Sequence, residues 1–107
     1  MTKKLYKVKN ALLKVPCNLF HYSAAKKPDQ YIVWAENGEV SSLDADNRKQ
    51  EQTIGGTIDY FTKTDFDPNI DGIQDSLKSA EISFSLESVQ YEEETGYIHY
   101  EWKFEVV

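Results

Sequence analysis

Apolar residues recur at intervals of three and four at the start of this chain and at intervals of two near its end. Leu5, Val8, Leu12 and Val15 share one stripe of a predicted helix over residues 2–15. Lys3, Lys4, Lys7, Lys9 and Lys14 occupy the rest of its surface. Pro16 marks the stop, because it cannot continue the helix and pushes Val15 toward extended geometry. Residues 17–22 (Cys-Asn-Leu-Phe-His-Tyr) form a short strand candidate, and residues 23–29 a loop. Residues 30–36 (Gln-Tyr-Ile-Val-Trp-Ala-Glu) are β-branched and aromatic, as strands are. Asn37 and Gly38 then carry the strongest tight-turn signal in the chain, since both tolerate positive φ. Residues 39–50 are mostly polar and predict a long excursion rather than a tight hairpin.

A third strand is predicted over residues 51–63. Ile54, Ile58 and Tyr60 share one face with Gly56, while Thr53, Thr57, Asp59 and Phe61 take the other. Gly55 and Gly56 weaken it and imply a bulge or a close backbone contact. Residues 67–80 read as a second helix, with Asp67 as cap, Pro68 at the first position and Ile70, Ile73, Leu77 and Ala80 as its stripe. Residues 82–91 and 97–106 form a hairpin. Val89 and Tyr91 break the parity set by Ile82, Phe84 and Leu86, which predicts a bulge near Glu87. In the last strand Ile98, Tyr100, Trp102, Phe104 and Val106 face one way, and His99, Glu101, Lys103 and Glu105 the other. The expected fold is a single α+β domain over residues 1–107. It has a mainly antiparallel sheet of about five strands covered by two helices, in the order α-β-β-β-α-β-β. The second helix is the expected crossover, and the other adjacent strands can pair antiparallel.

Composition removes several alternatives. With 107 residues, 40% of them apolar and 13% aromatic, the chain has too much apolar surface for a disordered tail and enough for one core. No apolar run approaches the roughly 20 residues of a membrane span. No apolar stretch of the signal-peptide kind follows the N-terminal lysines. One cysteine, Cys17, excludes an internal disulfide and fits a reducing compartment. The net charge of −6 is unevenly placed. Residues 1–30 hold seven lysines against Asp29, while residues 81–107 hold seven glutamates against Lys103. A solvated helix face accounts for the lysines, which lack the aromatic interleaving or compact run of a nucleic-acid footprint.

Candidate chemistry is thin. Asp67-Pro-Asn-Ile-Asp-Gly72 matches the first half of a calcium loop, but Lys78 stands where a bidentate glutamate should close it, so the capped-helix reading is preferred. The glycines at 55 and 56 lack the lysine and context of a phosphate loop. His21 and His99 match no metal-ligand spacing with Cys17. On a strand Cys17 and His21 would lie about 13 Å apart, too far for a nucleophilic pair. His99, on the polar side of the last strand, reads as a solvated or interface histidine. Glu92, Glu93 and Glu94 read as a solvated hairpin tip. The expectation is a non-enzymatic protein without cofactor or metal.

The linear arrangement resembles a known family. The basic helix is followed by Val15-Pro-Cys-Asn-Leu-Phe-His-Tyr22, then Pro28-Asp-Gln-Tyr-Ile-Val-Trp34 and Glu36-Asn-Gly38. Later come Ala45-Asp-Asn47, Gly56-Thr-Ile-Asp-Tyr-Phe-Thr62, Phe66-Asp-Pro68 and Tyr91-Glu-Glu-Glu-Thr-Gly-Tyr-Ile-His-Tyr-Glu-Trp102. Over nearly the whole chain this is similar to the tail-terminator, or tail-completion, proteins of long-tailed bacteriophages and prophages, such as the lambda minor tail protein U group. The resemblance implies a structural protein that forms a ring, a hexamer, on the end of the tail tube, stops its polymerisation and docks the head connector. It implies a location in the virion tail, and in the bacterial cytoplasm during assembly. The implied partners are further copies of the chain, the tail-tube protein and the head-connector protein, with no membrane and no sequence-specific nucleic acid. Complementary charge on copies of one chain suits head-to-tail contacts. The candidate interface residues are therefore Lys7 and Lys9, Arg48 and Lys49 of the excursion, and Glu92, Glu93 and Glu94. The alternative is an adaptor that binds a protein by strand addition at an exposed sheet edge.

Overall fold

The computed structural model describes residues 1–40 and 52–107. The N-terminal stripe winds into α1 (Thr2–Leu12), which ends at Leu12 rather than Val15. The reason is Pro16. Its ring bars Val15 from helical geometry, so the chain leaves through a tightened turn with Val15 N–H on the Leu12 carbonyl. Val8, Ala11, Leu12 and Val15 are all buried as the stripe requires. There follow β1 (Asn18–His21), β2 (Gln30–Glu39), β3 (Ile54–Thr62), α2 (Pro68–Ser79), β4 (Ser83–Glu92) and β5 (Tyr97–Val106). Among the described residues this is the expected α+β order.

The strands make one sheet in the order β1-β2-β3-β5-β4. Three of its pairs are antiparallel, namely β2 with β3, β3 with β5, and β5 with β4. Since β3 and β4 both oppose β5, they run parallel to each other, and α2 is the crossover between them. The β1–β2 pair departs from expectation. It is parallel, with Asn18 beside Tyr31 and His21 beside Trp34. The chain turns at Tyr22, whose φ is 75°, and residues 22–29 return to the start of β2. The Tyr97 hydroxyl ties this return down by donating to the carbonyls of Lys27 (2.9 Å) and Pro28 (2.7 Å).

Asn37 and Gly38 do not turn the chain back. They stay within β2, where the register slips between Glu36 and Gly38, so Glu36 opposes Gly56 and Gly38 opposes Gly55. Asn37 is the extra residue of a bulge, and Gly38 takes φ of +144° to absorb it. Glu39 pairs with Ile54, and Val40 N–H reaches the Thr53 carbonyl at 2.8 Å. The predicted excursion over 39–50 is therefore strand-paired at its start, and its remainder, with Arg48 and Lys49, lies outside the described residues. The bulge predicted near Glu87 is present between Leu86 and Ser88.

One core lies between the helices and one face of the sheet. Ile32 and Trp34 of β2, Ile54, Ile58 and Tyr60 of β3, and Trp102, Phe104 and Val106 of β5 meet Val8, Leu12, Ile73 and Leu77 from α1 and α2. Among the described residues, no helix is long and apolar enough to cross a membrane.

Candidate functional site

The start of α2 looked like half a calcium loop, and its geometry explains why it is none. Residues 68–72 are wound into the helix rather than wrapped around a cation. Asp67 caps that helix, accepting the Asn69 N–H at 2.8 Å. Its other oxygen accepts from Gln30 Nε2 (2.9 Å), the Tyr60 hydroxyl (2.6 Å) and the Thr62 hydroxyl (2.6 Å). Asn69 Nδ2 donates in turn to the Tyr60 oxygen at 3.0 Å. Burial alone would raise the carboxyl pKa of Asp67, yet the bonds from Thr62, Tyr60, the Asn69 amide and Gln30 hold it below the usual range. Four donors converge on this carboxylate, which makes it a structural clamp.

Among the described residues, the opposite face of the sheet carries no helix. Tyr31, Phe61 and His99 are direct neighbours across β2, β3 and β5, and their rings stack. The centroids lie 4.7 Å apart for Tyr31 and Phe61, and 4.2 Å apart for Phe61 and His99. Tyr97 meets Tyr31 and Phe61 edge-on, at 5.8 and 6.1 Å. Lys63 Nζ sits 4.9 Å from the Tyr97 ring centre. The alternation puts Phe61 on the face away from the core, as found, whereas His99, read as a solvated or interface histidine on a polar face, is instead part-buried against the Phe61 ring. The signal was available in the parity of Tyr31, Phe61 and Tyr97, which all alternate out of phase with the core residues.

His99 is half-buried and bonds Asp59 Oδ1 through Nε2 at 2.7 Å. That bond, working against burial and helped by the charges of Asp59, Glu92 and Glu101, raises its pKa above the ordinary histidine value. A ring-proton NMR titration should place the His99 midpoint above that of a free histidine, and Asp59→Asn should bring it down. Beside the rings is a cavity of about 420 Å³ bordered by Lys27, Tyr31, Asp59, Glu92, Tyr97 and His99. The size suits a small ligand. Its border carries Lys27 and His99 against Asp59 and Glu92, so its charge favours ions of neither sign. The rings act first as a second, smaller core that stiffens the bare face and holds residues 22–29 against it.

The other candidates separate in space. Cys17 is half-buried, and burial, helped by the Asp67 charge, pushes its thiol up to about 11, so no thiolate nucleophile forms. His21 bonds Glu36 at 2.7 Å and stacks between Tyr22 and Trp34 at 3.8 and 4.0 Å. Among the described residues no group of three or more His, Cys, Asp or Glu could hold a metal ion. Of the predicted interface residues, Lys9, Glu93 and Glu94 are exposed, whereas Lys7 and Glu92 are partly covered. Lys4, which was not singled out, donates to the Gln52 carbonyl and anchors the start of α1 beside the start of β3.

Neither a family model nor a curated protein matches the sequence. Among solved structures, the chain is similar to one described as "Structural insights into the molecular mechanism of H-NOX activation", with a TM-score of 0.39 and 16% identity. The alignment covers 49% of this chain and 29% of that one, so this chain spans under a third of its length. A likeness that partial carries no argument about fold or function.

Proposed function

We propose that this chain is a non-enzymatic structural protein of a phage or prophage tail. It acts as a terminator subunit that assembles into a hexameric ring on the tail-tube end, halts polymerisation and docks the head connector. The resemblance in residue pattern raises this reading, and one observation supports it most. The start of the basic helix, at Lys4, and the acidic hairpin tip, at Glu92–Glu94, lie at opposite ends of the sheet. Lys4 reaches Gln52, beside the Ile54–Val106 end, whereas Glu92 pairs with Tyr97 at the other end of β5. Ten strand residues separate the two, about 30 Å at roughly 3.3 Å per residue. A subunit with distant, oppositely charged surfaces can join copies of itself head to tail and close a ring. Lys27 and Glu105 are exceptions, since Lys27 borders the cavity with Glu92 and Glu105 pairs with Gly55 at the Lys4 end.

Size-exclusion chromatography with light scattering, over a range of protein and salt concentrations, should reveal a discrete hexamer-sized species. A strict monomer throughout, which also fails to bind tail-tube protein, refutes the reading. Lys7→Glu with Lys9→Glu should weaken assembly and flatten its salt dependence; unchanged assembly would remove α1 from the contact. The adaptor reading would use β4, the long open edge of the sheet. The bulge between Leu86 and Ser88 interrupts that edge and disfavours continuous strand addition.

A further inference from the structure

Four large apolar side chains stand out in solvent around β4. Leu86 is 47% exposed, Val89 52%, Tyr91 64% and Phe66 90%. Leu86, Val89 and Tyr91 pair with Trp102, Tyr100 and Ile98, whose side chains share the helix-covered side of the sheet. α2 covers that side as far as Trp102, whose indole donates to Gln74 at 3.1 Å. Among the described residues, none buries the strip beyond Gln74, where Val89 and Tyr91 stay more than half exposed. Phe66 stands beside it on a left-handed backbone, φ 54°, which few bulky residues adopt. Tyr60 ties this turn to the strip, since its ring lies 6.5 Å from that of Tyr100 and its hydroxyl donates to Asp67, the residue after Phe66. Asp71, Asp75 and Lys78 are exposed on α2, and Glu93 and Glu94 are exposed at the hairpin tip beyond Tyr91, so among these described residues acids outnumber the cation.

An apolar strip of this length along an edge strand is an aggregation hazard unless something covers it. The bulge spoils the ladder for an added strand, so a helix laid on the face suits better than a strand on the edge. The chain carries such a helix. Tyr6 (56% exposed) and Leu13 at the end of α1 (57%) lie seven residues apart, on one outward face. Lys9 Nζ rests 5.9 Å from the Tyr6 ring centre, Lys3 and Lys14 are also exposed, and no acid occurs before Asp29. One surface is apolar with a basic rim, the other apolar with an acidic rim.

We propose that the outer face of α1 in one copy of this chain packs on the β4 strip of the next. Tyr6 and Leu13 would lie among Leu86, Val89, Tyr91 and Phe66, with lysines opposite Asp65, Asp71, Glu93 and Glu94. This rests on the ring reading above and specifies its contact. Because the two patches differ, the contact is heterologous and repeats from subunit to subunit.

The test is complementation, read by light scattering with circular dichroism to verify folding. Tyr6→Asp with Leu13→Asp, and separately Val89→Asp with Tyr91→Asp, should each abolish assembly. Mixed one to one they should form a species of twice the monomer mass and nothing larger, since one intact contact remains. Charge-only variants serve if the apolar ones misfold. Lys3→Glu with Lys9→Glu should lose assembly, and mixing with Glu93→Lys/Glu94→Lys should restore the wild-type mass. If the wild type assembles and the α1 variants assemble equally, the contact is wrong and the ring reading stands. Assembly lost singly but not restored by mixing also overturns the contact. A wild type that is monomeric under all conditions overturns both.

Discussion

Asp67→Ala should destabilise the fold by on the order of 3–5 kcal/mol, the combined cost of a lost helix cap and of buried donors left without an acceptor. Asp67 is 3% exposed, and its carboxylate holds four donors from β2, β3 and the helix start. Alanine removes a helix cap, worth about 0.5–2 kcal/mol. It also strands the Tyr60 and Thr62 hydroxyls, both fully buried, at about 1–3 kcal/mol for each unsatisfied group. These terms overlap, so their sum is an upper bound. Against a total stability of about 5–15 kcal/mol, the loss should lower Tm by roughly 20 °C. Asp67→Asn keeps an acceptor and should cost less.

The pH dependence separates charge from shape. The folded pKa of Asp67 is depressed, so its contribution is complete above the unfolded value of about 3.9 and disappears as pH falls through the folded one. Urea unfolding of wild type and Asp67→Asn should therefore show a gap at pH 7 that narrows below about pH 4. A gap that stays constant to pH 2.5 would mean that the carboxylate charge contributes nothing.

Asp67 also shows where reading the chain residue by residue stops. The Asp-Pro signal at 67 and 68 is local, and it identified both the cap and the helix that follows. The three side-chain donors come from Gln30, Tyr60 and Thr62, and only the pairing of β2 with β3 brings Gln30 opposite Thr62. Likewise the parity break at Val89 is written in five residues, so the β4 bulge was legible. The Asn37-Gly38 bulge was mistaken for a turn because both need positive φ, and the choice depends on whether β3 arrives alongside. The parallel β1–β2 pair has no local signature either, as it depends on a loop held by Tyr97 from the far hairpin. The stacked Tyr31, Phe61 and His99 were hidden by the assumption that a sheet has one apolar face. Charge arithmetic found both ends of the proposed contact, but not the apolar centres, Tyr6 with Leu13 and Val89 with Tyr91, which local pattern assigns no partner.

Gly56→Ala should cost at least 3 kcal/mol, while Gly72→Ala should add about 0.5–1 kcal/mol of stability. The same added methyl has opposite signs because the surroundings differ. At Gly56 a Cβ would lie 2.2 Å from the Ala35 carbonyl oxygen and 2.6 Å from two ring carbons of Phe104. The oxygen belongs to the paired backbone of β2, and Phe104, 1% exposed, is packed near Trp34 at 6.4 Å. Neither can retreat without opening the centre of the sheet, so the penalty exceeds the usual 1–3 kcal/mol of overpacking. At Gly72, inside α2, the same atom meets nothing within 4 Å, and alanine gains by restricting the unfolded chain. Urea unfolding followed by the fluorescence of the buried Trp34 and Trp102 measures both variants on one scale. If Gly56→Ala unfolds at the wild-type midpoint, then β2 and Phe104 do not close over that glycine, and the register joining β2, β3 and β5 would have to be redrawn.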